Sequence, residues 1–101
     1  MWVLVMFDLP TDTPEARKRY RVFREGLLDF GFTMLQFSVY SRTAPSEESA
    51  KAQSQRVKGA LPPDGQVRVM ILTDKQYSRM EVFYGKLRAP TENAPEQLEF
   101  F

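Results

Sequence analysis

Trp2-Val3-Leu4-Val5-Met6-Phe7 is an unbroken apolar run of β-forming residues, and no other segment constrains the fold as much. Side chains alternate across a strand, so Val3, Val5 and Phe7 take one face and Trp2, Leu4 and Met6 the other. Both sets are apolar, and both need cover. The run therefore reads as a central strand buried from two sides. Asp8-Leu9-Pro10 closes it, because proline cannot donate to a central ladder. The same alternation puts Asp8 on the face of Leu4 and Met6.

Thr13-Pro14 opens a helix, with Thr13 as the cap and Pro14 at the first helical position, where no amide donor is needed. Glu15 sits at the positive end of the helix dipole. Ala16, Tyr20, Phe23, Leu27 and Phe30 recur at spacings of four and three, a stripe that faces the sheet. Gly31 suits the left-handed residue that ends such a helix. Gly26 lies inside it at a cost of roughly 1 kcal/mol relative to alanine, which suggests a close backbone approach. Phe32 to Tyr40 returns to strand character, long enough for two short strands with a bend near Gln36. Pro45-Ser46 starts a second helix running to about Gly59, with a thin apolar side of Ala50 and Val57, then Leu61. Pro62-Pro63-Asp64-Gly65 is a turn, and Val67 to Leu72 is a strand. A last short strand is expected near Met80 to Tyr84, with a polar, loose chain beyond Gly85 that ends in the apolar tip Leu98-Glu99-Phe100-Phe101.

This order predicts an α+β fold, a ferredoxin-like βαββαβ sandwich with an extra C-terminal strand. With 101 residues, 43% of them hydrophobic, the chain supports one core. The division is residues 1–85 as the domain and residues 86–101 as a tail that docks as an edge strand. Two helices cover one sheet face only. The other apolar face calls for a partner, and a homodimer with Leu4, Met6 and Phe37 in its interface is the simplest one.

The chain has no Cys and no His, so disulfides, thiolate catalysis, Cys/His zinc sites and imidazole bases are excluded. Chemistry must rest on carboxylates, hydroxyls, Lys, Arg or Tyr, with an oxygen-seeking cation such as magnesium. Asp8 is the candidate: on a two-fold axis its carboxylate meets its own copy, and such a pair needs a cation or a shared proton between the two. Magnesium there would serve phosphodiester hydrolysis. The plainer reading is a strand-end turn aspartate. Lys and Arg number 14 against 13 Asp and Glu, so a basic surface must come from local clustering. Arg17, Lys18, Arg21 and Arg24 supply one: Arg17, Arg21 and Arg24 share a flank of the first helix with no carboxylate to neutralise it. They read as phosphate contacts or as a solvated face. Thr11, Asp12 and Thr13 read as turn and cap residues or as extra oxygen ligands. Ser38 and Tyr40 are strand hydroxyls that either touch a phosphate or are simply buried. Glu47 and Glu48 complement the second helix dipole. The longest apolar run is too short for a membrane span and lacks the flanks of a signal peptide, so no membrane contact and a cytoplasmic location are expected.

Val5-Met6-Phe7-Asp8-Leu9-Pro10-Thr11-Asp12-Thr13, the basic helix with Arg17, Lys18, Tyr20, Arg21, Phe23 and Arg24, and Gln36-Phe37-Ser38-Val39-Tyr40-Ser41 resemble the family of the second universal CRISPR-associated protein. That family is the small adaptation subunit beside the CRISPR-associated integrase, and this variant is similar to those of type II systems. Thr73 to Tyr77, Arg79 and Met80 extend the resemblance more loosely. Just before the aspartate, where the family usually has Tyr, this chain has Phe7. The resemblance implies a ferredoxin-like homodimer in a heterohexamer with integrase dimers, bridging double-stranded prespacer DNA in spacer acquisition. It also implies a magnesium-dependent endonuclease with Asp8 as catalytic residue and metal ligand, and DNA contacts from the basic helix. A stand-alone ribonuclease acting on single-stranded RNA, similar to a virulence-associated toxin of the same fold, is the alternative. A plain RNA-binding module ranks last, because the sheet aromatics that would stack bases are committed to the core or the dimer.

Overall fold

In the computed structural model, which describes residues 1–93 and Pro95, the apolar run does form a central strand. Four strands, β1 (Trp2–Asp8), β2 (Thr33–Gln36), β3 (Val39–Thr43) and β4 (Gln66–Leu72), make one antiparallel sheet in the order β2-β3-β1-β4. The split expected near Gln36 is real: the β2–β3 register shifts between Met34 and Gln36.

Helix α1 (Pro14–Asp29) begins as its sequence dictates. The Thr13 side chain accepts from the Ala16 amide, and Pro14 and Glu15 fill the first turn. Such a cap stabilises a helix by about 1 kcal/mol. Gly31 follows at φ 87°, in the left-handed region that side chains other than glycine resist. Ala16, Phe23 and Leu27 are buried, and Tyr20 and Phe30 pack at the margin. Helix α2 (Glu47–Gly59) is capped by Ser46 and buries Ala50, Gln53 and Val57. Gln53 is tolerated in the core because its Oε1 accepts from the half-buried Arg42, whose guanidinium also donates to the Phe30 carbonyl at the end of α1. Both helices lie on the face of Val3, Val5 and Phe7, and Phe7 meets Phe23 edge-on at 5.2 Å.

Three expectations need correction. Gly26 has nothing within 4 Å of where a Cβ would stand, so no close approach accounts for it. Leu61 lies beyond the end of α2 and is exposed rather than core. The structure also holds an element not assigned from the sequence: α3 (Asp74–Ser78), after β4, opens with a reciprocal cap between Thr73 and Gln76. The polar region past Gly85 also holds structure. β5 (Val82–Tyr84) pairs with β6 (Leu87–Ala89) in a separate two-stranded sheet, so the boundary set at residue 85 falls within a hairpin turn. The Leu98–Phe101 tip lies outside the described residues.

The added helix changes the second sheet face. Tyr77 stacks flat on Trp2, with ring centroids 3.8 Å apart and planes 5° apart. With Leu4 they form a second, smaller core, flanked by Leu35, Val39, Leu72 and Met80. Leu4, expected to face a partner, is thus already buried within its own chain, whereas Met6 is half-buried and Phe37 is 84% exposed.

Candidate functional site

Asp8 is the last residue of β1, and its side chain is exposed. Antiparallel pairing sets Asp8 opposite Gln66 and Met6 opposite Arg68. Cross-strand partners share a face, so Asp8, Gln66 and Arg68 stand together on the side away from α1 and α2. Ser38 joins them from the β2–β3 turn, held there because its carbonyl accepts from the Phe7 amide at 3.0 Å. Met6, Phe7, Asp8, Ser38, Val39, Gln66 and Arg68 line one open hollow of about 260 Å³.

Next to Gln66, at the start of β4, Gly65 packs against the Asp8 backbone. At φ 84° it turns the chain into β4, and a Cβ there would stand 2.8 Å from the Asp8 carbonyl oxygen and 2.6 Å from a Leu9 methyl. Both the conformation and the close approach require glycine. The turn that the sequence shows in Pro62–Gly65 is therefore also the piece that lets β4 close against Asp8.

Within the hollow the polar groups divide. Arg68 Nε donates to Gln66 Oε1 at 3.1 Å. Neither Asp8 nor Arg68 has an ion-pair partner among the described residues. No group of three or more His, Cys, Asp or Glu side chains able to hold a metal ion exists among them. One carboxylate is too few for a resident cation. It does fit magnesium, which keeps most of its waters and shares one or two carboxylates with substrate phosphates.

The basic residues form a second, separate surface. Arg17, Lys18 and Arg21 are exposed on α1, and Arg24 is half-buried. Arg17 donates to the Thr11 carbonyl at 3.1 Å, which holds it against the loop after β1. No acid pairs with any of the four among the described residues, whereas Arg19 on the other flank is bound to Asp64 at 3.2 Å. Because α1 covers the opposite sheet face, the basic flank and the Asp8 hollow sit on different sides of the sheet.

The remaining candidates resolve simply. Thr13 is committed to its cap, and Glu47 and Glu48 lie in the first turn of α2. Tyr40 is wholly buried beside Phe7, with centroids 5.7 Å apart. Sequence reasoning missed Gln66, Arg68 and the second role of Gly65. Only the pairing register of two strands far apart in the chain places them beside Asp8.

Residues 1–80 match the family described as CRISPR associated protein Cas2. The chain is 52% identical over 101 residues to the CRISPR-associated endoribonuclease Cas2 of Parvibaculum lavamentivorans, with 100% of each chain covered. It is 48% identical to the protein of the same name from Flavobacterium psychrophilum, across 100% of this chain and 88% of the relative. Its fold is similar to the crystal structure of Streptococcus pyogenes Cas2 at pH 6.5, with a TM-score of 0.62, 25% identity, and 83% of this chain and 100% of the other covered.

Proposed function

The chain belongs to the Cas2 family of CRISPR-associated proteins, and from that premise we propose that it is a homodimeric subunit of spacer acquisition that bridges double-stranded prespacer DNA between integrase dimers. The observation that carries this reading is the unpaired basic flank of α1. Guanidinium groups that no carboxylate neutralises bind phosphate by charge and shape, without reading sequence. The βαββαβ order with strands arranged β2-β3-β1-β4 supports a ferredoxin-like unit. The half-open second face, with Met6 and Phe37 on it or at its edge, supports the homodimer and through it a heterohexamer with the integrase. The protein works in the cytoplasm, where such DNA is found.

A second activity is favoured by the Asp8 hollow and by the relatives named endoribonuclease. In this reading the site cleaves phosphodiesters, in single-stranded RNA or in DNA, with magnesium. Bound there, magnesium supplies Lewis acidity toward the phosphate. Asp8 orients that cation from the strand end, and Gly65 keeps the strand end in place. If this is its only activity, the protein is a ribonuclease acting alone.

Integration into a repeat-bearing plasmid with the cognate integrase separates the two. The bridging role predicts that omitting the protein abolishes integration and that replacing Arg17, Arg21 and Arg24 with Ala does so too. Each lost phosphate contact should lower the salt slope of duplex binding by about 1. Asp8→Ala should leave integration intact and remove cleavage. Integration by the integrase alone would refute the bridging role.

A further inference from the structure

Arg68 is the cation of the Asp8 hollow, and nothing among the described residues uses its charge. The register makes it the diagonal cross-strand neighbour of Asp8, a relation that spans about 7–8 Å between Cα atoms. A side chain of arginine length covers that distance, yet Arg68 and Asp8 form no ion pair. Gln66, directly opposite Asp8, accepts the hydrogen bond that Arg68 Nε–H donates. The four N–H bonds of the two terminal nitrogens find no acceptor among the described residues, and they form the fork that matches phosphate oxygens. A carboxylate and a guanidinium thus share one hollow without neutralising each other, with Ser38 lining it from the β2–β3 turn on the other side of β1.

We propose that Arg68 is the phosphate-binding residue of this site, donating both terminal nitrogens to the non-bridging oxygens of the phosphodiester to be cleaved, while Gln66 fixes its direction. The proposal rests on the reading of Asp8 as the endonuclease carboxylate. In that hydrolysis a water oxygen bonds to phosphorus and the ester bond to the leaving sugar oxygen breaks. One water proton goes to the leaving oxygen and the other to solvent. Negative charge grows on the non-bridging oxygens at the midpoint of this exchange, where a pre-placed fork of donors stabilises it more than in the bound substrate.

The test uses the full-length protein as wild type, Arg68→Ala, Arg68→Lys and Asp8→Asn. Two quantities are measured: magnesium-dependent cleavage of end-labelled single-stranded RNA and duplex DNA, and the Arg68 guanidinium nitrogen resonances on titration with thymidine 3′,5′-bisphosphate in calcium. Expected are a fall of roughly 100-fold in kcat/KM for Arg68→Ala, partial recovery in Arg68→Lys, and resonances that shift with the bisphosphate. If wild type cleaves and Arg68→Ala cleaves equally well, the proposal falls and the Asp8 reading stands. A drop in cleavage with unmoved resonances, or an Arg68→Ala protein that becomes monomeric, makes Arg68 a structural residue and overturns the proposal. If nothing cleaves but the resonances shift, the endonuclease reading fails and Arg68 remains a phosphate seat. If neither occurs, both fail.

Discussion

The two faces of β1 are equally apolar in sequence and are buried by different means. On one, Val3, Val5 and Phe7 lie beneath helices of 16 and 13 residues whose stripes repeat at helical spacing. On the other, Trp2 and Leu4 are closed by a single stacked tyrosine from a helix of 5 residues. Beyond them the surface stays open around Met6 and Val39, while Phe83 is 54% exposed and Leu87 76%. Two long elements make a core that one chain completes. A short helix and a hairpin make a surface that is half core and half open. Stability should therefore depend chiefly on the first face, and association on the second.

The largest expected effect sharpens that division. Phe23→Ala, on the sheet-facing side of α1, should lower the unfolding free energy by about 3–5 kcal/mol, read by chemical denaturation at low protein concentration. A loss below 1 kcal/mol would mean that the helical face is not the main core.

Next comes the pH dependence of the second face. Burial, with Glu92 accepting the Tyr77 hydroxyl proton at 2.9 Å, pushes the Tyr77 pKa up to about 12 from its ordinary value of 10.0. The folded state then keeps a proton that the unfolded chain releases first. The stabilisation is complete below pH 10 and is lost as pH rises from about 10 to about 12, by roughly 2–3 kcal/mol in all. Tyr77→Phe should flatten that part of the stability curve. A curve unchanged by the substitution would separate Tyr77 from the second core. The smallest change in folding belongs to Phe37→Ser, which should leave monomer stability within about 0.5 kcal/mol. Its effect should appear in sedimentation instead, as a weakening of the proposed dimer by about tenfold or more; unchanged association would move Phe37 out of the proposed interface.

The helical face was legible because its signals are local and repeated. Thr13, Pro14, the stripe from Ala16 to Phe30 and Gly31 each mark α1 independently. The second face was less so. Five residues of α3 are too few for a periodic stripe, and the Thr73–Gln76 cap was its one sequence sign. β6 exists only through its pairing with β5, and Gln53 is buried because Arg42 meets it from another element. The site follows the same rule. Asp8 stands out at the end of an apolar run, and the basic flank at helical spacing. Gln66 and Arg68 join Asp8 through a strand register spanning most of the chain, which no local pattern encodes.

The Trp2–Tyr77 stack also has a spectroscopic meaning. Trp2 is the single tryptophan of the chain, and it lies face to face with a phenol whose helix leads directly into the β5–β6 hairpin. The indole emission of this protein therefore comes entirely from the junction where the second core gives way to open surface. Separation of α3 from the sheet changes its quenching and its wavelength, while loosening confined to the far end of α2 leaves both as they were. One chromophore, already in place, distinguishes motion on one side of the sheet from motion on the other without any added label.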